Sequence, residues 1–153
     1  MTYNPNIHNR KSIRIKDYDY SQKGIYSITM CIQNRENLLG MIEDNKIILS
    51  KIGNIVEEEL KKISQKYLNT SIKIYTIMPN HIHFIIEFKS KGENSLGDII
   101  KYYKSKTIIK IRNKIWQRNY YEHIIRNDAD YYEKYEYIIN NPYKWIEDNL
   151  YKK

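Results

Sequence analysis

Hydrophobic residues recur along the chain in two ways, at every second position or at every third to fourth position. The two-residue pattern comes first. A run rich in β-forming residues, IYSITMCIQ, begins after Gly24, and LLGMIEDNKIILS follows a turn over 34–37. This pattern predicts two antiparallel strands, with a further turn at Asp44-Asn45. SIKIYTIM and HIHFIIEF predict two more strands around the turn signal Pro79-Asn80.

Helical spacing separates and follows these strands. After Ser50, a candidate N-cap, apolar residues recur at intervals of three and four as far as Tyr67, which predicts an amphipathic helix. A second helix is predicted from Ser95, where Asp98 completes a capping-box pattern, to about Lys110. A last helix runs from a cap at Asn127 or Asp128 to about Asn140, and Pro142 ends it.

The order of these elements predicts an α+β fold in which an antiparallel β-sheet is flanked by helices. The segment KIWQRNYYEHIIR reads as a strand or an extended connector. Residues 1–23 lack a clear period and are predicted to be an irregular basic arm. With 153 residues, the chain fits a single domain over 1–153.

The composition limits which binding partners and which cellular compartment we expect for the protein. A formal net charge of +8 favours a polyanionic partner, although a lysine-rich solvated surface explains it equally well. Cys31 is the one cysteine, so an intrachain disulfide and a cysteine-rich zinc site are excluded. We expect a soluble cytoplasmic protein, because no apolar run reaches the length that spans a membrane.

The strand HIHFIIEF carries the first candidate chemistry. Because side chains alternate across a strand, His81 and His83 share one face, with Cα atoms about 6.7 Å apart. Both imidazoles can therefore reach one divalent metal ion. An H-x-H pair on a partly exposed polar face is the simpler alternative.

The last helix carries the second candidate. At about 100° per residue, one apolar stripe forms, and Tyr137 falls nearly opposite it. The stripe contains Tyr131, Tyr132, Tyr135, Ile138 and Ile139. Asn141 follows Tyr137 by one turn, so this pair can be a nucleophile and a metal ligand, or an ordinary surface tyrosine beside an amide.

Three segments in this order, MPNHIHFII, KIWQRNYYEHIIRN and YEYIINNPYKW, resemble the single-tyrosine HUH transposases, especially the REP-associated tyrosine transposases. The resemblance extends over about residues 10–147 and implies a ferredoxin-like or RRM-like sheet with helices on its faces. It also implies that His81 and His83 bind the metal, that Tyr137 is the catalytic nucleophile, and that Asn141 adds a metal contact. Tyr131 and Lys134 form the Y-x-x-K pattern of HUH replication initiators. By that pattern Tyr131, and not Tyr137, would be the nucleophile.

The same resemblance implies the substrate, the cofactor and the reaction. Single-stranded or hairpin DNA would be cleaved and rejoined through a 5′-phosphotyrosine, with Mg²⁺ or Mn²⁺ as cofactor. The candidate DNA contacts are Arg118, Arg126, Lys101, Lys104, Trp116 and Tyr120. The aromatic rings would stack on bases, although a place in the core is the favoured alternative for Trp116 and one tyrosine. A non-catalytic single-stranded nucleic-acid-binding protein and an initiator-like nickase using Tyr131 remain as alternatives, and a homodimer is possible.

Overall fold

The computed structural model describes residues 18–153, so the predicted arm is described only over 18–23, which form turns and irregular backbone. The described residues form six strands: β1 (Gly24–Cys31), β2 (Gly40–Glu43), β3 (Lys46–Leu49), β4 (Thr70–Ile77), β5 (His81–Phe88) and β6 (Tyr121–Ile125). Three α-helices accompany them: α1 (Lys51–Lys66), α2 (Leu96–Ile111) and α3 (Asp128–Asn140). Within 18–153, no helix is both long and apolar enough to cross a membrane.

Four strands form the main antiparallel sheet, in the order β4-β5-β1-β6. Strand β1 lies at its centre, with Thr29 opposite His83 on one side and Ser27 opposite His123 on the other. Residues that lie opposite each other in an antiparallel pair project from the same face. This register therefore aligns polar side chains from three strands on one face of the sheet.

The other face of the sheet carries the main hydrophobic core. Strand β5 contributes Ile82, Phe84, Ile86 and Phe88, as its alternation predicts. Helices α1 and α2 cover this face with buried residues that include Leu60 and Tyr103. The Ser50 N-cap and the Ser95–Asp98 capping box are both present, so the polar starts of these helices were correctly predicted.

Helix α3 packs on the opposite face, through a smaller cluster around Ile85, Ile125 and Ile138. Tyr131 and Tyr135 pack against this cluster. The predicted apolar stripe was too wide, because Tyr132 and Ile139 are exposed at 64% and 45%. The small cluster offers α3 only a narrow apolar contact, which leaves much of the helix exposed.

The segment after β1 departs from the predicted pairing. Strands β2 and β3 form a separate two-stranded hairpin, and β1 instead pairs with the distant β5 and β6. The turn at Asp44-Asn45 is confirmed, with both residues at positive φ (53° and 62°). Asp and Asn tolerate this conformation in tight hairpin turns.

Trp116 and Tyr120 are buried, with 5% exposure each, so neither ring offers a face to a nucleobase. The Trp116 indole N–H donates to the Thr107 hydroxyl at 2.9 Å, which satisfies its one polar group inside the core. This burial corrects the assignment of Trp116 and Tyr120 as DNA contacts and agrees with the alternative that Trp116 and one tyrosine belong to the core. Burial of an aromatic in an irregular segment depends on tertiary contacts that local sequence does not record.

Candidate metal and tyrosine site

His81 and His83 open strand β5, directly after the turn at Pro79-Asn80. Both side chains lie on the α3 face, and both residues are buried, at 0% and 5% exposure. Their rings meet edge to face, with centroids 4.6 Å apart. A partly exposed polar face therefore does not describe this pair.

The Nδ1 atom of each imidazole lies within hydrogen-bond distance of a neighbouring side chain. Nδ1 of His81 lies 2.8 Å from the Asn80 side-chain oxygen, and Nδ1 of His83 lies 2.8 Å from the Thr29 hydroxyl. The Asn80 amide nitrogen donates to the carbonyl oxygens of Leu150 and Arg35, which fixes its own oxygen towards His81. Because that oxygen can only accept, His81 carries its proton on Nδ1 and presents a lone pair at Nε2.

The Nε2 atoms of His81 and His83 are buried and have no hydrogen-bond partner within residues 18–153. Buried polar atoms are nearly always satisfied, so an unsatisfied pair suggests that a further ligand belongs there. Side chains that hold the other ring nitrogen in this way orient histidines that bind metals. The donor atoms therefore fit a divalent cation.

Asp148 supplies a third donor, which the sequence did not single out. After α3 the chain makes a 3₁₀ turn over Asn141–Glu147, and this turn brings the Asp148 carboxylate to 3.5 Å from Nε2 of His81. His81, His83 and Asp148 each offer a ligand atom, and these atoms all lie within 4.8 Å of one another. Two imidazoles and a carboxylate form a donor set that Mg²⁺, Mn²⁺ or Zn²⁺ accepts.

Asn141 lies beside the same group. Its amide nitrogen is 3.4 Å from Asp148, and its oxygen is buried without a hydrogen-bond partner among the described residues. The side chain predicted as a metal contact therefore sits next to the His–His–Asp group, with an unused acceptor atom.

The C-terminal segment is tied back to the loop that follows β1. Asn37 donates to the Lys152 carbonyl at 2.7 Å, and Lys152 donates to the Asn34 carbonyl at 3.2 Å. The Trp145 ring is buried and packs against both His81 and Tyr151. These contacts hold Asp148 at the histidine pair.

Tyr137 projects from α3 beside the group. Its ring lies edge to face with that of His83 in the same chain, with centroids 5.3 Å apart, and the residue is 49% exposed. Tyr131 packs instead against the rings of Tyr132 and Tyr135 and the cluster beneath the helix. The half-exposed phenol next to the histidines is thus that of Tyr137.

Burial dominates the electrostatics of the site. It lowers the pKa of His83 to about 3, with help from neighbouring His81 and against the charge of Asp148. Burial also opposes ionisation of Asp148, but the adjacent side chain of His81 and a hydrogen bond from the Leu150 N–H outweigh it and lower the pKa of Asp148. A neutral imidazole and an ionised carboxylate are the forms that bind metals.

The phenol of Tyr137 is held protonated. Burial and the charge of Asp148 raise the pKa of Tyr137, while the Asn141 side chain opposes the rise. A phenol in this state is a weak nucleophile until its target is activated or its proton is removed.

The cationic candidates for DNA contact lie apart from this group. Lys101, Lys104 and Arg118 line a cleft of about 800 Å³ beside α2, and the Lys104 ammonium donates to the carbonyls of Gln117 and Arg118. Arg126 is exposed immediately before the Asn127 cap of α3. None of these four joins the described His–His–Asp group.

The chain is similar to known proteins in both sequence and structure. No profile of a known protein family matches the chain. An uncharacterised protein of Haemophilus influenzae is 37% identical, with 97% of each chain covered. A second Haemophilus influenzae protein, named as a candidate REP-associated tyrosine transposase, is 28% identical over 82% of this chain and 74% of its own.

Two solved structures share the fold. A REP-associated tyrosine transposase bound to a REP hairpin superposes with a TM-score of 0.69 and 23% identity, covering 86% of this chain and 73% of that one. A candidate transposase from Deinococcus radiodurans gives a TM-score of 0.53 and 14% identity, covering 83% and 95%. In sequence and in fold, the chain is thus similar to REP-associated tyrosine transposases.

Proposed function

We propose that this protein cleaves and rejoins single-stranded or hairpin DNA, with Tyr137 as the nucleophile. The observation that carries the proposal is the half-exposed Tyr137 ring against His83, beside a buried group of unsatisfied ligand atoms. A structural neighbour is bound to a DNA hairpin, which supports DNA as the substrate class.

His81, His83 and Asp148 would hold the metal, with Asn141 close enough to contribute its oxygen. A Mg²⁺ or Mn²⁺ ion bound there would act as a Lewis acid towards a phosphate oxygen. Asn80 and Thr29 keep the two imidazoles oriented for this task, and Trp145 covers His81 from the other side.

In the proposed reaction the Tyr137 oxygen attacks the phosphorus atom and forms a 5′-phosphotyrosine. The bond from phosphorus to the 3′ oxygen breaks, the phenol loses its proton and the departing oxygen gains one. The covalent link replaces one phosphodiester with another, so a second 3′-hydroxyl can attack it and rejoin strands without a nucleotide cofactor.

An adduct assay tests this proposal. Purified protein is incubated with a labelled library of hairpin and single-stranded DNA and Mn²⁺, and denaturing gels report covalent protein–DNA complexes. The expected result is an adduct that disappears with Tyr137→Phe and with EDTA, and persists with Tyr131→Phe.

The other outcomes distinguish the alternatives. Loss of the adduct only with Tyr131→Phe would identify Tyr131 as the nucleophile, as in the pattern of the HUH replication initiators. Strand binding with no adduct across the library, despite metal binding, would reduce the function to non-catalytic nucleic-acid binding.

A further inference from the structure

A cleft of about 420 Å³ opens beside Tyr137, between α3 and the polar face of the sheet. We call it the His123 cleft, and the lining residues used below are Ser27, Thr29, Tyr121, His123, Lys134 and Tyr137. Its volume falls within the range of sites that bind small ligands. Since Tyr137 and His83 both line it, the cleft is continuous with the candidate active site.

The pairing of the sheet strands gives the distance between the residues that line the cleft. His83 lies opposite Thr29, and Ser27, two residues along the same strand, lies opposite His123. Tyr121 therefore lies two strand spacings from His83, about 10 Å across the sheet, and His123 lies two residues farther along β6. One phosphate group cannot span that distance, so a strand whose scissile phosphate lies at His83 can reach His123 only through an adjacent nucleotide.

A fixed imidazole lies at the far end of the cleft. Nε2 of His123 is 2.6 Å from the Asp130 carboxylate, and the side chain of His123 is 48% exposed. The contact to Asp130 uses Nε2 and leaves Nδ1 for a ligand. Lys134 lies on the same helix, 3.9 Å from Asp130, and brings an ammonium group to the cleft wall.

Tyr121 adds an aromatic surface. It is 59% exposed on β6, opposite Thr29, so it projects from the same face as His83 and His123. Exposed aromatic rings beside cations are how proteins hold single strands without reading sequence.

The cleft on the other side of Tyr137 has the opposite character. Its volume is about 500 Å³, and it is lined by Glu133, Glu136, Glu147 and Asp148 with Lys144 as one cation. In the part of the chain that the structure describes, the His123 cleft has only two carboxylates in its lining, Glu122 and Glu133, and Lys134 pairs with Glu133. A polyanionic strand is therefore repelled less on the His123 side.

We infer that the His123 cleft binds the nucleotide adjacent to the scissile phosphate of a single DNA strand, with its base on Tyr121 and its backbone against His123 and Lys134. The inference rests on the proposed function. It adds a binding site and a direction of approach, with the strand entering from the β6 side of α3.

Strand binding in EDTA tests the cleft independently of cleavage. A fluorescent single-stranded DNA of mixed sequence is titrated with wild-type protein, Tyr121→Ala, Tyr121→Phe and Lys134→Ala. Loss of the stacked ring is expected to raise the Kd about ten-fold. Tyr121→Phe keeps the ring and should retain wild-type affinity, and Lys134→Ala should weaken binding and reduce its salt dependence.

Matched controls come from the turn after α3. Tyr143 is 63% exposed and precedes Lys144, which lines the acidic cleft, so Tyr143→Ala and Lys144→Ala repeat the same chemical changes away from the His123 cleft. Wild-type affinity in both controls is expected. Equal weakening on the two sides, or no effect of Tyr121→Ala, would overturn the inference.

Two further arms separate related possibilities. A strand carrying 5-bromodeoxyuridine, crosslinked by light and mapped by mass spectrometry, should attach to residues of β6; attachment around Tyr143 would overturn the assigned path. Tighter binding of an RNA strand with the same dependence on Tyr121 would overturn DNA as the ligand. Failure of the adduct assay leaves these binding results readable, so the two proposals fail separately.

Discussion

His81 and His83 each have one nitrogen fixed by a neighbour and one directed into a shared buried space. Asp148 lies at the edge of that space, and its pKa is low in spite of burial because the His81 side chain is adjacent and the Leu150 N–H donates to the carboxylate. At the scale of single residues, the site is thus arranged to bind a cation beside Tyr137. Two predictions concern these residues alone.

Asp148→Asn removes the negative charge from the group with little change in shape. We expect it to weaken Mn²⁺ binding by about 10- to 100-fold, as changes around metal sites commonly do. Isothermal titration calorimetry measures this directly. The adjacent Glu147→Gln is the matched control, and equal losses in both variants would show that general charge, not a ligand, is responsible.

The pKa of His83 predicts acid sensitivity of the metal-free protein. The unfolded chain takes up a proton at His83 near pH 6.5, whereas the folded protein does so only near pH 3. The unfolded state therefore binds more protons between these values, and the free energy of unfolding falls as pH drops from 6.5 towards 3. Urea denaturation in EDTA at pH 7 and pH 5 should show this loss, and His83→Gln should reduce it; an unchanged difference in His83→Gln would contradict the assignment.

At the scale of elements, the turn over Asn141–Glu147 and the segment after it decide whether the site is complete. Trp145 is buried against His81, and Asn80 holds Leu150, so the segment is fastened on both sides of Asp148. Helix α3 rests on a small apolar cluster. Its position, and with it that of Tyr137, depends on few contacts.

Trp145→Ala should release Asp148 from the histidine pair. We expect weaker Mn²⁺ binding and a lower yield of covalent DNA adduct, with the main sheet intact by circular dichroism. Tyr143→Ala, which removes an exposed ring from the same turn, should change neither quantity. An unaltered metal affinity in Trp145→Ala would show that the segment does not position Asp148.

The cap of α3 provides a test of stability. The Asn127 side chain accepts a hydrogen bond from the Asp130 N–H at 2.8 Å. Asn127→Ala should lower the free energy of unfolding by about 1 kcal/mol, measured by urea denaturation. Asn113→Ala, at an exposed position outside the helices and strands, should be nearly neutral; equal losses would argue against a specific cap.

The sequence could predict the features that depend on the local spacing of apolar and polar residues. Alternation separated the histidines from the core residues of β5, and cap patterns located the starts of all three helices. It could not predict Asp148, because one carboxylate in a short tail has no period and its role depends on where the tail folds back. It also left open which tyrosine is buried and did not predict the pairing of β1 with β6, since both depend on contacts between distant segments.

At the scale of the whole molecule, the two halves of the candidate site come from one chain. Tyr137 meets His83 of the same molecule, across the face between α3 and the sheet. The net charge of +8 favours approach of a polyanion from any side. The DNA strand is then directed into the His123 cleft, because the cleft on the other side of Tyr137 is lined mainly by acidic residues.

A mixing experiment tests whether the site is complete in one chain. His83→Ala and Tyr137→Phe are each expected to abolish the DNA adduct, and mixing the two variants should leave it absent. Recovery of adduct in the mixture would show that a tyrosine reaches the histidines of another copy, contrary to the arrangement described above.

The central claim is that Tyr137 becomes covalently joined to DNA. The most direct measurement is to trap the Mn²⁺-dependent adduct, digest it with protease and nuclease, and locate the nucleotide-modified peptide by tandem mass spectrometry. We predict a 5′-phosphate linkage on Tyr137. A linkage on Tyr131 or on any other residue would contradict this account of the site.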